Sequence, residues 1–490
     1  MLLIFIFLIA ILLALLAYAD TRKPRNFPPG PKWLPIIGCA WELRDLHKMK
    51  GSLAKATQEL AVQYGPVVGA RVGRERTVFV CELNATKELL CKVELNGRPD
   101  DIFSTSRTFG KRRGIIFTDS EFHQVQKRFL QKQLKESSFR KEVMEATLAH
   151  TVRVIIDDLK KKIEGDGVNC ISSLFPIHIL NSLFTLMTGD TCSDQDMEEL
   201  CSAMAEFSQN IPLTGAMFTH FPFLKYICPD YCGYNTYVNI HKRILTFVSK
   251  RLKFLKQTRD SATPCGFIHE YIKMINCAEG RSSFSEDQLL AIVLDLLIAG
   301  YDTTCNTLSF VFMYLLLHPE VQRNAQKEMD SVIGRGRLPS LEDRARLPYV
   351  ESIILESLRM FAGRGFLIPR RAMKDSTLNG YFIPKGTFIQ ANSGGTLLDE
   401  GAGWKNPKTF DPERFMKDGA LNIPDNFILF GLGKRRCLGD TLARANIFLI
   451  VASLLHIFHF KPAPGSPPAL EIVESFTPSL KPSKAFVTLR

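Results

Sequence analysis

The chain has no charged residue in its first 19 positions, although it carries 62 Lys and Arg residues overall. A cleaved secretory signal needs a basic residue before its apolar run, so this absence argues against one. The run is long enough to cross a bilayer. Cations follow it instead, at Arg22, Lys23, Arg25 and Lys32. We therefore expect residues 1–19 to be a retained anchor, with the rest of the chain on the cytosolic side.

Regularly spaced cysteines are also missing. The 12 cysteines are scattered over 490 residues, which argues against a disulfide framework and favours a reducing compartment. Cys228 and Cys232 are therefore predicted to be reduced structural thiols. No repeat divides the chain, and its composition, 46% hydrophobic and 23% charged, is that of a globular protein.

Residues 20–38 lack the pattern of a helix. They are basic and rich in proline, with Phe27-Pro28-Pro29-Gly30-Pro31 near the centre. Prolines favour a stiff, extended connector. We expect a hinge over 20–38 that joins the anchor to a single catalytic domain, residues 39–490.

One cysteine lies in a glycine-rich, basic stretch, Phe430-Gly431-Leu432-Gly433-Lys434-Arg435-Arg436-Cys437-Leu438-Gly439, and an apolar helical run follows. The cations and the positive end of that helix are expected to favour a thiolate. No second Cys or His lies close by in the sequence, which argues against a tetrahedral zinc site. A buried, inert cysteine is the common alternative. A single thiolate ligand to haem iron fits the pattern better.

That stretch is similar to the haem-binding signature of the cytochrome P450 monooxygenases, Phe-Gly-x-Gly-x-Arg-x-Cys-x-Gly, at every fixed position. The resemblance implies a mainly α fold with small β-sheets and one catalytic domain behind a membrane anchor. It also implies haem b, with iron bound by the Cys437 thiolate and with Phe430, Arg435 and Gly439 around the cofactor. The chain as a whole resembles insect members of the animal microsomal group that includes farnesoate and methyl farnesoate epoxidases.

A second apolar stretch runs from a predicted N-cap at Ser285 to about His318. A transmembrane helix is one interpretation, but Asp295 and Asp302 would be costly in lipid, so a helix inside the domain is favoured. Asp295 is expected to be a structural hydrogen-bonding residue.

The centre of this helix, Ala299-Gly300-Tyr301-Asp302-Thr303, resembles the oxygen-activating motif of the family. The resemblance makes Asp302 and Thr303 the catalytic pair, in which Asp302 relays protons from solvent. Ala299 and Gly300 would lie against the cofactor, Gly300 leaving room for dioxygen. The Thr303 hydroxyl is expected to bond the carbonyl of Ala299 and to widen the helix locally.

Glu356 and Arg359 are three residues apart, a spacing that places them on one face of a helix. As an exposed pair they would contribute little to stability. The resemblance identifies them as the buried Glu-x-x-Arg pair of the family, completed by Arg414, with a structural role.

The resemblance assigns the remaining site residues by position. Further haem-binding residues would be Arg98, His123, Lys127 and Arg370. His123 replaces the usual Trp and Lys127 the usual Arg; imidazole can donate a hydrogen bond as indole does, and a surface role is the alternative for His123. The substrate pocket would be lined by Phe103, Phe109, Ile115, Ile116, Phe366, Leu367, Phe476 and Thr477. Residues 207–237, rich in Phe, Tyr and Pro, would be either a lid partly in lipid or a loop with core aromatics.

Arg364 stands where the family usually has an apolar or small residue. The favoured interpretation is that it turns outward, to a haem propionate or to solvent, because a buried unpaired cation is expensive. If it points into the pocket, it needs an anion such as a substrate carboxylate. That alternative predicts a fatty or terpenoid acid as substrate.

The net charge of +12 raises the question of a partner. Nucleic acid is one alternative, but no nucleic-acid-binding module is recognisable in the sequence. The resemblance implies instead a docking face for NADPH–cytochrome P450 reductase, with cytochrome b5 as a further candidate partner. The residues expected on this face are Lys127, Lys132, Lys135, Arg140, Lys434 and Arg436.

These motifs together predict a monooxygenase of the endoplasmic reticulum membrane that inserts one oxygen atom from O2 into a lipophilic substrate. Hydroxylation or epoxidation of a fatty acid or terpenoid, such as a juvenile hormone precursor, would suit the resemblance. Two alternatives stay open: a thiolate-haem isomerase or dehydratase, and a non-catalytic haem- or lipid-binding protein. The Asp302–Thr303 pair favours the monooxygenase.

Overall fold

The computed structural model describes residues 2–136, 141–165, 167–211, 216–258, 266–277 and 283–490. Helices predominate in this part of the chain, as the resemblance implied. The α-helices are α1 (Leu2–Asp20), α2 (Ala40–Lys50), α3 (Leu53–Tyr64), α4 (Leu83–Cys91), α5 (Ile102–Ser106), α6 (Ser120–Glu136), α7 (Lys141–Ile163), α8 (Pro176–Thr188), α9 (Asp194–Asn210), α10 (Met217–His220), α11 (Leu224–Ile227), α12 (Tyr234–Thr258), α13 (Gly266–Cys277), α14 (Glu286–Leu317), α15 (Pro319–Val332), α16 (Pro348–Ala362), α17 (Gly394–Leu397) and α18 (Asp440–Ile457).

The strands are short and form small sheets. They are β1 (Val67–Val72), β2 (Glu75–Val80), β3 (Val168–Cys170), β4 (Arg370–Arg371), β5 (Ser376–Leu378), β6 (Tyr381–Ile383), β7 (Phe388–Ala391), β8 (Met416–Lys417), β9 (Ala420–Leu421), β10 (Phe458–Pro462), β11 (Ile472–Val473), β12 (Ser479–Leu480) and β13 (Lys484–Leu489). The largest sheet has the order β1-β2-β7-β4, with β2 parallel to β7 and its other pairs antiparallel. A three-stranded sheet has the order β10-β13-β3, and β5-β6, β8-β9 and β11-β12 are two-stranded.

Helix α14 runs through the centre of the domain. It is apolar on nearly every side and packs against α8, α16 and α18, which is the pattern of a helix buried in a core rather than at a surface. The Ser285 hydroxyl accepts a hydrogen bond from the Gln288 amide (3.2 Å), so the predicted N-cap is confirmed. This helix positions the site, because one of its faces is turned to an internal cavity.

Helix α1 differs from every other long helix in the described part of the chain. Four helical segments there are long and apolar enough to cross a membrane, and three of them are largely buried in the domain. The segment Leu3–Asp20 has none of its residues buried against protein. An exposed apolar helix of this length fits the predicted anchor.

The predicted hinge contacts the catalytic domain rather than spanning free space. The Arg71 guanidinium of β1 donates to the Asp20 carboxylate (2.8 Å) at the end of α1, and the same carboxylate accepts from the Ile36 amide (2.7 Å). Phe27 and Trp33 are buried beside the largest sheet. The proline-rich segment is therefore packed onto β1 and its neighbours.

The cysteines whose side chains the structure describes are all free thiols, Cys228 and Cys232 among them.

Candidate active site

A cavity of about 1430 Å³ lies between α14, the loop that precedes α18 and the segment that follows α16. Its volume is larger than that of a typical ligand pocket, about 300–1,000 Å³. Much of the lining is apolar. Apolar residues on its wall include Ile115, Ile116, Leu296, Ala299, Phe366, Leu367 and Phe476.

The loop that carries Cys437 is a tight turn at the edge of this cavity. Gly431 and Gly433 have φ angles of 70° and 66°, a region that favours glycine. A Cβ on Gly433 would lie 2.6 Å from the carbonyl oxygen of Leu90, so no larger residue fits there. The Cys437 amide donates to the Phe430 carbonyl (2.9 Å), which closes the turn three residues before α18 begins.

The pKa of Cys437 is set by opposing influences. Burial raises the pKa of this thiol, and Asp440 adds to the rise, although Lys127, Arg436 and an amide hydrogen bond from Gly439 act the other way. Arg436 is paired with Asp440 (2.8 Å), and the Lys127 ammonium donates to the Lys434 carbonyl (2.5 Å). Burial thus acts against the cations that were expected to favour a thiolate. A thiolate here needs a positive charge at the sulfur itself, as a metal ion supplies.

Five basic side chains lie on one side of the cavity and are called the cationic wall: Arg98, His123, Lys127, Arg370 and Arg435. Arg98 donates to the carbonyls of Ile116 (2.9 Å) and Pro369 (2.7 Å), and Arg435 donates through Nε to the carbonyl of Asn96 (3.1 Å). Nη1 of Arg435 is buried and has no partner in the described part of the chain.

The cationic wall carries more positive charge than its surroundings balance. Burial, followed by repulsion from Arg370 and Arg435, holds the pKa of Arg98 well below its ordinary range. Burial and mutual repulsion lower the pKa of Arg370 to about 10, and burial lowers that of Arg435 to about 10. Burial and the nearby cations lower the pKa of His123 to about 3, so its imidazole is neutral and can donate one hydrogen bond. Such a wall fits an anionic ligand with several acceptor oxygens.

The face of α14 towards the cavity carries Ala299 and Thr303. The Thr303 hydroxyl donates to the Ala299 carbonyl (2.7 Å), as predicted, but the helix stays α-helical through this turn and the expected widening is absent. A Cβ on Gly300 would lie 2.9 Å from the Leu183 side chain. The glycine therefore permits close packing of α14 against α8. The sequence analysis expected Gly300 only to leave room for dioxygen and did not predict this packing.

Asp302 points away from the cavity. It is 3% exposed and absent from the cavity lining. Its carboxylate accepts hydrogen bonds from the hydroxyls of Ser208, on α9, and Thr477, between β11 and β12. Burial raises the pKa of Asp302, and these two hydroxyl donors partly offset the rise. The carboxyl group is thus one residue from Thr303 in sequence but on a different face of the helix.

Comparison with known proteins identifies the fold and the site together. The sequence profile described as cytochrome P450 matches residues 28–489. The chain is 35% identical to "Probable cytochrome P450 303a1" of Drosophila melanogaster, over 98% of both chains. It is 32% identical to "Farnesoate epoxidase" of Bombyx mori, over 97% of this chain and 96% of the relative. It is 28% identical to "Cytochrome P450 2J3" of Rattus norvegicus, over 93% and 90%.

This chain belongs to the cytochrome P450 family. It is therefore an enzyme of a haem-thiolate monooxygenase family, whose iron is bound by a cysteine. The residues present fit that cofactor: a cysteine sulfur opens onto a large cavity, and a wall of cations with an unpaired buried donor faces the same space. The two haem propionates are the kind of anion that such a wall requires.

The Glu-x-x-Arg pair of this P450 is buried, with both side chains fully excluded from solvent. Arg359 binds the Glu356 carboxylate through two nitrogens, each at 2.7 Å, and Arg414 adds a third bond at 3.1 Å. Arg359 also donates to the carbonyls of Leu397 (2.6 Å) and Pro407 (2.8 Å). The network thus joins α16 to the long loop between α17 and β8.

Most of the predicted pocket residues lie where the sequence placed them. Ile115, Ile116, Arg364, Phe366, Leu367, Phe476 and Thr477 all line the cavity, as do Phe430 and Gly439. Two assignments were wrong. Phe103 is packed in an aromatic core cluster with Phe117, Phe218 and Tyr237, and Phe109 lies half-exposed under the Arg113 guanidinium. Both belong to a loop whose inward positions the sequence pattern does not reveal.

One functional contact was missed by sequence reasoning. The Asp295 carboxylate pairs with the buried Arg107 guanidinium and accepts from the amides of Ile115 (2.6 Å) and Ile116 (2.8 Å). Asp295 thus fixes the loop that forms one wall of the cavity, which agrees with its predicted structural role. Its partner Arg107 lies 188 positions earlier, and no local signal connects the two.

The Arg364 side chain does not take the favoured outward position. Its Nη2 donates to the Tyr314 hydroxyl of α14 (3.3 Å), and its Nε is buried without a partner in the described chain. The residue also lines the cavity. Its guanidinium therefore has one neutral partner and unused donor capacity.

The expected reductase face is only partly described. Lys132, Lys434 and Arg436 are exposed, and Lys127 is half-buried. The side chain of Lys135 and the whole of Arg140 lie outside the described residues. In the predicted lid, Phe218 is fully buried, whereas Phe223, Tyr226 and Tyr231 are exposed. Residues 212–215 of the lid lie outside the described chain.

Proposed function

We propose that this P450 is an anchored monooxygenase of the endoplasmic reticulum membrane. It inserts one oxygen atom from O2 into a lipophilic substrate, with electrons from NADPH through cytochrome P450 reductase. The observation that carries the proposal is the common cavity: the Cys437 sulfur, the Thr303 hydroxyl, the cationic wall and an apolar lining all meet there. The exposed apolar helix α1 supports the membrane location.

Each side chain of the site then has a role that its contacts support. Cys437 would bind the iron through its sulfur, and Arg98, Arg370 and Arg435 would bind the propionates, with His123 and Lys127 beside them. Haem supplies reductive activation of dioxygen when bound. Thr303 delivers a proton at its hydroxyl. Asp302 supplies protons to the cavity through Thr477, whose hydroxyl binds its carboxyl group and which lines the cavity.

Electron supply is assigned to the exposed basic residues near the Cys437 loop. Lys434 and Arg436 are exposed on the loop, and Lys132 is exposed on α6. Such a surface attracts the acidic flavin domain of the reductase, and cytochrome b5 would use the same charges.

An isomerase or dehydratase needs no reductase, and a non-catalytic haem- or lipid-binding protein consumes no NADPH. Substrate-dependent NADPH oxidation by the purified chain with reductase therefore tests the proposal against both alternatives.

Thr303→Ala tests the proton pathway. We expect the variant to consume NADPH but to form product at a rate reduced roughly tenfold or more, with hydrogen peroxide released instead. Thr307→Ala is the matched control, because the Thr307 hydroxyl makes the same type of bond to the Thr303 carbonyl (2.7 Å) one turn further on. Product and peroxide per NADPH would be measured for both. Unchanged coupling in Thr303→Ala would exclude this helix from proton delivery.

The substrate class follows from the lining and from Arg364. The cavity wall is largely aliphatic and aromatic, which suits a long apolar molecule. The unused donors of Arg364 suit a carboxylate at one end. We propose a fatty or terpenoid acid, within lipid metabolism. The relative that is named farnesoate epoxidase acts on a compound of this type and so supports a juvenile hormone precursor as the first candidate.

Arg364→Leu tests whether Arg364 binds the carboxylate of the substrate. Loss of a charged hydrogen bond should weaken binding of carboxylic acids by about 1.5–3 kcal/mol, roughly ten- to hundredfold, and leave the matching methyl esters unchanged. Ligand titration followed by the shift of the haem absorption band gives both affinities. Tyr314→Phe is the control, because it removes the neutral partner and keeps the cation. Equal losses for acid and ester would make Arg364 a scaffold residue.

A further inference from the structure

The carboxyl group of Asp302 has no open path to solvent or to the cavity. It is 3% exposed and absent from the cavity lining. Among the described residues it forms no ion pair, and both of its oxygens are bound by hydroxyl groups from other elements. A group in this position can exchange protons only through the side chains that touch it.

The two hydroxyls differ in their surroundings. Thr477 donates to Asp302 and accepts from the Asn306 amide (2.9 Å), so its oxygen is enclosed between two residues of α14. Ser208 lies near the end of α9 and is only half-buried. Thr477 is half-buried too, but it lines the cavity whereas Ser208 does not. Ser208 is therefore the partner of Asp302 that lies away from the cavity.

The same junction connects three elements. The Phe476 amide donates to the Ser208 carbonyl (3.1 Å), and the Phe476 ring packs on Phe207 with centroids 4.9 Å apart. Phe476 itself lines the cavity. A ligand that displaces Phe476 therefore shifts the segment of α9 that carries Ser208, a hydrogen-bond donor to Asp302 of α14.

No other charge near Asp302 takes over this role. Tyr301 and Cys305, on α14 itself, are the titratable side chains that interact with it, and burial raises the pKa of both. Cys201 on α9 lies 4.0 Å from the Tyr301 hydroxyl, and burial raises its pKa as well. All three are neutral near pH 7, so burial and the hydrogen-bond donors of Ser208, Thr477 and Asn306 set the environment of the carboxyl group.

We propose that Ser208 and Thr477 are positioning residues for Asp302, and that Ser208 connects this acid to solvent. A hydroxyl can receive a proton from water on one side while it donates its own on the other, so no further group is needed. The proposal rests on the proposed function, because it concerns the proton supply of that reaction. Because Ser208 lies on α9, the position of this helix then controls whether Asp302 can be reprotonated.

The first arm of the test measures the contact itself and needs no turnover. Infrared difference spectra of the haem-loaded protein, native minus Asp302→Asn, follow the carboxyl and carboxylate bands of Asp302 through a pH titration. Loss of a donor to the charged form should shift the titration of Asp302 upward in Ser208→Ala. Ser208→Thr keeps the hydroxyl and should restore the native midpoint. Ser202→Ala, at an exposed serine of the same helix, should leave it unchanged.

The second arm measures the consequence with NADPH and reductase. Ser208→Ala should lower product formation about tenfold, raise peroxide release, and move the pH profile in the direction of the infrared midpoint. Ser208→Thr should retain the native rate. The proposal is overturned if the infrared titration of Asp302 is unshifted in Ser208→Ala. It is also overturned if Ser208→Thr behaves as Ser208→Ala does. If the infrared titration of Asp302 shifts in Ser208→Ala but product and peroxide formation stay native, Ser208 does not connect Asp302 to solvent. Native protein that consumes no NADPH instead refutes the proposed function, while the infrared arm still decides the contact.

Discussion

Replacement of Cys437 by Ser should abolish the thiolate-type absorption of the carbon monoxide complex and reduce product formation to background. The serine side chain keeps the size and the turn, since the Cys437 amide bond to Phe430 is a backbone contact. A serine hydroxyl does not ionise near neutrality, so the strongly donating axial ligand is lost. The measurement is the difference spectrum of the reduced protein with carbon monoxide.

The matched control is Cys228→Ser. Cys228 is a free thiol in the predicted lid, far along the chain from the site, and the change is chemically identical. We expect a native spectrum from this variant. A folded Cys437→Ser protein that kept the thiolate band would show that another residue binds the iron, and the assignment of the axial ligand would then be wrong.

Glu356→Gln should destabilise the protein severely. The variant leaves Arg359 fully buried and without its carboxylate, and Arg414 loses the same partner. Removal of one member of a buried ion pair costs about 3–5 kcal/mol, because the other charge is left uncompensated. We expect a lower midpoint of urea unfolding and loss of bound haem at temperatures where the native protein retains it.

Glu270→Gln provides the comparison for this effect. Glu270 and Lys273 form an ion pair with the same three-residue spacing on α13, but neither side chain is buried: they are 32% and 53% exposed. Its loss should cost less than about 1 kcal/mol. Similar unfolding midpoints for the two variants would show that the Glu356 network contributes no more than a surface pair.

The sequence predicted well those parts of the site that depend on local spacing. Each of three features lies within a few residues of chain: the Cys437 loop, the hydrogen bond from Thr303 to Ala299, and the Glu356–Arg359 pair. In each, the residues of the sequence motif are the residues in contact. The cationic wall was also found, because each of its members occupies a position that the family resemblance specifies. The anchor followed from an uncharged run of the length of a bilayer.

Contacts between distant segments were not predictable in the same way. Phe103 and Phe109 were both assigned to the pocket, yet the first is in the core and the second is near the surface. Loop conformation decides which ring turns inward, and aromatic composition does not encode it. The Arg107–Asp295 pair likewise depends on how the loop folds back onto α14.

By itself, the sequence determined the family, and it predicted the cysteine that binds the iron, an anchor, and the helix that carries Asp302 and Thr303. Only the tertiary structure decided the state of these groups. The pKa of the Cys437 thiol depends on desolvation and on charges brought from α6 and α18, and the contacts of Asp302 depend on α9 and the chain after β11. The physical reason is that protonation responds to every charge and dipole within reach and to desolvation, which are set by packing rather than by neighbours in sequence.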